Sequence, residues 1–242
     1  MSEGYRPAGV TPKGKAVVLL SGGLDSATTL AIAHAEGWDC HALTVRYGQR
    51  HALEVDRARA IAAALGAIEH RVIDLDLAAW GGSSLTGDGD VPRAGAGDAI
   101  PSTYVPARNT IFLALALGYA EARGAGAIFL GVSAVDYSGY PDCRPAFVDA
   151  FRALARAGTR AGLAGRAPAI RAPLLNKSKG ETIRWGLALG VDYALTWSCY
   201  DPRPDGRPCG ACDSCRLRAR GFAEAGVADP LLADGPAPAG VE

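Results

Sequence analysis

Apolar residues along the chain fall into two kinds of segment that alternate: short unbroken runs, and longer stretches with helical spacing. Residues 16–20 (AVVLL) form an unbroken run of strand length, and residues 26–36 behind it read as a helix. Residues 40–45 read as a second strand, and 52–65 as a second helix with apolar positions at Leu53, Ala60, Ile61, Ala64 and Leu65. A third strand is expected over 69–75, a long helix over 109–123 and a fourth buried strand over 127–131 (AIFLG). Residues 145–157 and 179–189 read as further helices, and weaker apolar signals at 170–172 and 193–196 as short strands. Strands that are apolar on both faces and alternate with helices predict an α/β fold, a parallel sheet covered by helices on both faces.

Two kinds of interruption divide the chain. The Gly/Pro/Asp-rich stretch 81–101 reads as an insertion after the third strand, a mobile loop of the kind that serves as a lid. Residues 1–14 and the Ala/Pro/Gly-rich 229–242 are expected to be disordered ends. That leaves an α/β domain over 15–192 and a small C-terminal subdomain over 193–228.

Composition narrows the class. With 242 residues, 49% hydrophobic, the chain can bury a sizeable core, although its abundant Gly and Ala weaken helix readings based on Ala alone. Its 25 basic and 25 acidic residues cancel, which argues against a broad nucleic-acid footprint. The N-terminus, Met1 to Tyr5, shows no basic segment followed by an apolar stretch. The longest apolar run, 111–120, is about half of what a membrane span requires. A soluble, cytoplasmic protein with no membrane partner is expected.

The sharpest local signal is Leu20-Ser21-Gly22-Gly23-Leu24-Asp25-Ser26, between the first strand and the first helix. Two glycines allow a tight turn whose successive N–H groups point into one concavity. The helix start adds unpaired N–H groups and its positive dipole end, and Ser21 and Ser26 offer hydroxyl donors. At the carboxyl edge of a parallel sheet such a corner receives nucleotide phosphates. Neither a Walker lysine nor Gly-x-Gly-x-x-Gly is present. The plainer alternative is a Ser/Gly turn that caps the helix, with Asp25 in the cap.

Four of the six cysteines crowd into the last fifth of the chain as Cys199-x9-Cys209-x2-Cys212-x2-Cys215. In a reducing compartment this spacing points to a metal. Tetrahedral zinc on four sulfurs, closed to water and structural, suits it best. An iron–sulfur cluster is the rival, against which Cys215-Arg216-Leu217-Arg218 lacks the further cysteine and proline of ferredoxins. Cys40 reads as a buried inert thiol. Cys143 is either inert or a nucleophile, with Arg144 lowering and Asp142 raising its pKa.

SGGLDS resembles the pyrophosphate loop of the ATP pyrophosphatases, which adenylate an oxygen and displace AMP with a nitrogen or sulfur nucleophile. Further segments narrow the resemblance: 45–51 (VRYGQRH), 105–109 (VPARN), 136–144 (DYSGYPDCR), 179–182 (KGET) and 209–218 (CGACDSCRLR). With the four cysteines they resemble the 7-cyano-7-deazaguanine synthases over about residues 16–222. Two departures stand out: Arg46 in place of a usual acidic or neutral residue, and Ala107 where Gly is common.

The resemblance implies an adenine nucleotide alpha hydrolase-like, Rossmann-like fold with a small zinc-binding helical appendage. It implies ATP with Mg²⁺, 7-carboxy-7-deazaguanine and ammonia as substrates, no nucleic-acid partner, and a homodimer. ATP binding then falls to Leu19, Leu20, Ser21, Gly22, Gly23, Leu24, Asp25, Ser26, Ala27, Thr28 and Thr29. Arg108 and Lys179 would neutralise the pyrophosphate, with Asp25 toward Mg²⁺. The plainer alternative for both cations is a solvated helix-end charge, stronger for Lys179 because Lys177 stands beside it. Asp136, Tyr137, Tyr140, Asp142 and Arg144 form a polar and aromatic loop suited to a deazaguanine, by carboxylate hydrogen bonds and ring stacking. Cys199, Cys209, Cys212 and Cys215 would hold the zinc. A tRNA-modifying enzyme of the same loop class would need a more basic surface, and a zinc-binding regulator has only Arg216, Arg218 and Arg220 as a basic cluster.

Overall fold

A computed structural model describes residues 11–48, 53–87, 89–92, 100–135 and 139–232. Gly14–Leu19 (β1) occupies the middle of a five-stranded sheet, flanked by Trp38–Arg46 (β2) and Ala127–Phe129 (β4). Glu69–Asp74 (β3) adds outside β2 and Ala169–Arg171 (β5) outside β4, giving the order β3-β2-β1-β4-β5 with every pairing parallel. Leu24–Ala35 (α1) and Leu53–Ala64 (α2) connect the first three strands, and Arg108–Arg123 (α3) leads into β4. Pro145–Ala157 (α4), the short Arg160–Leu163 (α5), Lys179–Ala188 (α6) and Asp213–Ala225 (α7) complete the helices.

The unbroken apolar runs are explained by burial on both faces of the sheet. Side chains alternate along β1, so Ala16 and Val18 enter one core with α1 and α2, while Val17 enters the other with α3 and α4. α6 and α7 join the α1 side through Ile183 and Phe222. The chain reverses direction across the sheet between β1 and β4, and that switch point opens a crevice at the carboxyl edge.

Expected and observed elements differ where short-range pattern is ambiguous. The segment near residue 193 is no strand but a 3-10 turn, Tyr193–Leu195. Its apolar signal reflects Tyr193, buried against α1 and α6 with its hydroxyl 2.7 Å from Thr28 Oγ1. The insertion 81–101 is not wholly a free loop: Leu85 and Val91 are buried in a third core with Val45, Tyr47 and Trp197. Asp88 and residues 93–99 lie outside the described residues, as do 1–10. The expected tail also begins too early. Asp229 is buried and accepts two hydrogen bonds from Arg218, at 2.7 and 2.8 Å. The rest of that tail, 233–242, lies outside the described residues.

Ala107 is the one non-glycine with positive φ among the described residues, at φ 55° and ψ 21° just before α3. A Cβ is disfavoured there. Ala107→Gly is therefore expected to stabilise the protein by about 1 kcal/mol, net of the extra entropy of an unfolded glycine. Urea unfolding of the two forms checks this.

Candidate active site

The crevice holds a cavity of about 210 Å³. Its floor is the turn after β1, where Leu20 continues the sheet by donating to Leu43 O at 2.9 Å. Gly22 makes that turn at φ +88°, and a Cβ there would overlap Glu54 O on α2. Gly131, past β4, lies so close to α1 that a Cβ would come within 3.0 Å of Asp25 O. These two glycines let three elements converge on one corner.

Leu19, Leu20, Ser21, Gly23, Leu24, Asp25 and Ser26 line the cavity. Gly23 caps α1 with no side-chain hydrogen bond, so Asp25 is not a helix cap. Ser26 Oγ donates to Gly23 O at 2.9 Å and accepts from Ser21 N at 3.1 Å, which braces the loop from within. Ala27, Thr28 and Thr29 point into the protein instead. Thr28 and Thr29 donate to Leu24 O and Asp25 O.

Lys179, the first residue of α6, reaches across to Asp25, with Nζ 2.7 Å from both carboxylate oxygens. The lysine is only 4% exposed, which removes the solvated-charge alternative. Its neighbour Lys177 pairs with Glu181 on the surface. Arg108 approaches from α3, 3.4 Å from the Tyr47 hydroxyl and against that ring. Burial opposes its charge, and the hydroxyls of Tyr47, Tyr200 and Tyr140 outweigh that, holding its pKa above the ordinary arginine range.

The polar loop splits by neighbour. Tyr140 lines the cavity, its hydroxyl 2.6 Å from Thr103 Oγ1. Asp142 is buried behind it, and its carboxylate accepts from Asn109 N at 3.1 Å, at the start of α3. Arg144 is exposed before α4, and Asp136 and Tyr137 lie outside the described residues, as do Gln49, Arg50 and His51. Cys143 also lines the cavity. Burial, reinforced by Asp142, pushes its thiol from 9.0 up to about 12, the opposite of an activated nucleophile. At pH 8 its alkylation in the native protein should be about a thousandfold slower than in the unfolded chain, as peptide mapping would show. The stability this thiol contributes is whole below pH 9.0 and is lost as pH rises toward 12.

The roof comes from residues that sequence reasoning did not assign to the site. Trp197, Ser198 and Tyr200 flank Cys199, and Ser214, Leu217 and Arg218 lie on α7. Trp197 N donates to Gly22 O at 2.9 Å, tying this segment to the glycine turn. Tyr47 and Asn109 sat inside recognised motif segments, and Phe112 carried no signal beyond helix periodicity. Arg218 is drawn inward by Asp229, Thr196 and Tyr193, so it does not belong to a surface basic cluster.

Cys199, Cys209, Cys212 and Cys215 place four sulfurs within 4.8 Å of one another, a group that can hold a metal ion. Backbone N–H groups of Cys209, Ala211 and Cys212 donate to Cys199 and Cys209 sulfur at 3.2–3.4 Å, which suits thiolates. The cluster is part of the third core beneath Tyr47 and Trp197, so it packs on the sheet edge rather than hanging from it.

A crevice at the switch point of a parallel sheet, floored by a glycine turn and a helix start, defines an α/β protein with its site where open parallel sheets receive ligands. The family model for queuosine biosynthesis protein QueC matches residues 15–226, and the chain belongs to that family. The 7-cyano-7-deazaguanine synthase of Frankia casuarinae is 59% identical over 224 residues, covering 92% of this chain and 95% of the relative. That of Geobacter sulfurreducens is 61% identical over 218 residues, covering 90% and 92%. Among the described residues no helix is long and apolar enough to cross a membrane.

Proposed function

We propose that this chain is an ATP-dependent ligase of the ATP pyrophosphatase type that makes 7-cyano-7-deazaguanine from 7-carboxy-7-deazaguanine and ammonia. The observation that carries the reading is the meeting of the glycine turn, the Asp25–Lys179 pair and Arg108 in one cavity. The names of the relatives supply the product.

A carboxylate resists ammonia because its charge repels the nucleophile and its oxygen is a poor leaving group. In adenylation the carboxylate oxygen bonds the α-phosphorus of ATP as pyrophosphate leaves, so that the oxygen can later depart as part of AMP. Ammonia then forms the C–N bond as AMP leaves, giving the amide. A second ATP adenylates the amide oxygen, and loss of AMP with a proton from nitrogen leaves the nitrile.

In this scheme the N–H groups of the loop and of the α1 start receive the pyrophosphate. Lys179 and Arg108 balance the charge that builds on it, and Asp25 orients Lys179 and would contribute a ligand to the nucleotide's Mg²⁺. Mg²⁺ on the triphosphate supplies charge neutralisation. Tyr140 lines the deazaguanine side and Asp142 acts there by holding the start of α3, while Asp136, Tyr137 and Arg144 are the further candidates for reading the base. Zinc on the four cysteines is structural. We assign the enzyme to the cytoplasm as a homodimer that acts on small molecules and not on nucleic acid.

The test is incubation with ATP, Mg²⁺, ammonia and 7-carboxy-7-deazaguanine. Mass spectrometry should find the nitrile, and phosphorus NMR should show AMP and pyrophosphate rising with it. ADP and phosphate as primary products would reject the adenylation chemistry.

A further inference from the structure

α6 and α7 cross where each presents a glycine to the other. A Cβ on Gly221 of α7 would overlap Lys179 Cγ, lie 2.8 Å from its Cβ and come within 3.0 Å of Ile183 Cδ1. A Cβ on Gly180 of α6 would overlap the Glu224 side chain in the same way. The lysine stem thus occupies a notch in α7, and the glutamate stem crosses a notch in α6.

Glu224 also fastens the first turn of α6. Its carboxylate accepts from Ser178 Oγ at 2.5 Å and from Gly180 N at 3.3 Å, the residues on either side of Lys179. Arg184, one turn further along, donates to Glu224 O at 2.6 Å. A free lysine stem samples many rotamers, and its ammonium is a point charge without directional preference. The Asp25 carboxylate holds Nζ at one end, and the notch in α7 constrains the stem at the other.

We infer that Gly221 and Glu224 are positioning residues for Lys179: the Gly221 notch aims its stem at the phosphate loop and Glu224 fixes the turn from which it starts. The inference rests on the proposed role of Lys179 in adenylation. It makes α7, which begins at the cysteine cluster, the element that sets the site's cation.

The experiment measures AMP release and KM for ATP and for the acid in Gly221→Ala and Glu224→Ala, alone and combined with Lys179→Ala. Gly221→Ala is expected to lower kcat about a hundredfold, as misplacement of a reacting group does, with KM for the acid unchanged. Glu224→Ala, at a partly exposed site that leaves the fold intact, should cost about tenfold, and Glu224→Gln, which keeps one acceptor oxygen, should restore most of it. In the Lys179→Ala background each further change should alter kcat by less than about twofold. Full additivity with Lys179→Ala, or wild-type rates in both Gly221→Ala and Glu224→Ala, would overturn the inference. Wild-type rates in Lys179→Ala alone would instead reject the role given to that lysine.

Discussion

Asp25→Asn is expected to lower turnover by about two to three orders of magnitude and to lower the melting temperature as well, whereas Ser21→Ala lowers turnover alone. The difference follows from what each side chain touches. Asp25 holds Lys179 by both oxygens, and the lysine is nearly inaccessible to water. Replacing the carboxylate by an amide takes the counter-charge away from a buried ammonium, which costs about 3 kcal/mol, the low end for a buried pair because Asp25 is partly exposed. Ser21 is exposed and joins only the local loop network with Ser26 and Gly23. Lys179→Met added to Asp25→Asn removes the buried charge, so it should recover the melting temperature but not the rate. Thermal unfolding and AMP release measured on the same four proteins decide this. Near-normal rates in both single variants would return the loop to the status of a helix cap.

Cys212→Ser should depress thermal stability and soluble yield before it changes the chemistry. Four thiolates around one zinc leave no position for water, so such a metal cannot act as a Lewis acid. Cys199, Cys212 and Cys215 are buried in the core that also holds Tyr47 and Trp197, and Trp197 is bonded to the glycine turn. Losing one thiolate therefore loosens the roof of the cavity and the start of α7 together. Metal analysis of the parent protein should give one zinc per chain in a colourless sample. A brown sample would assign the site to an iron–sulfur cluster. A Cys212→Ser variant with full stability and no activity would place the metal in the reaction.

Much of the architecture was determined by the sequence alone, because a strand buried on both faces must be apolar at every position. That requirement made 16–20, 40–45 and 127–131 visible, and the observed strands overlap each of them. The glycine turn and the cysteine cluster were legible for a related reason: each is built from residues close in the chain. Three apolar residues near 193 carried too little period to separate strand from turn, and packing against α1 and α6 decided the matter.

Only the tertiary structure decided which side chains share the cavity. Sheet order brings the ends of β1 and β4 together, and Tyr47, Phe112, Trp197 and Tyr200 meet there from three separate segments. Tyr140 and Asp142 are two residues apart, yet the 3-10 turn Pro141–Cys143 sends one to the cavity and the other to the backbone of α3. Lys177 and Lys179 are equivalent in local pattern. The notch at Gly221 and the carboxylate of Asp25 distinguish them, and both lie more than forty residues away along the chain. Local pattern determines which elements form and which short loops bind, because those depend on neighbours in sequence. The choice between two like side chains depends on a partner that only the folded chain supplies.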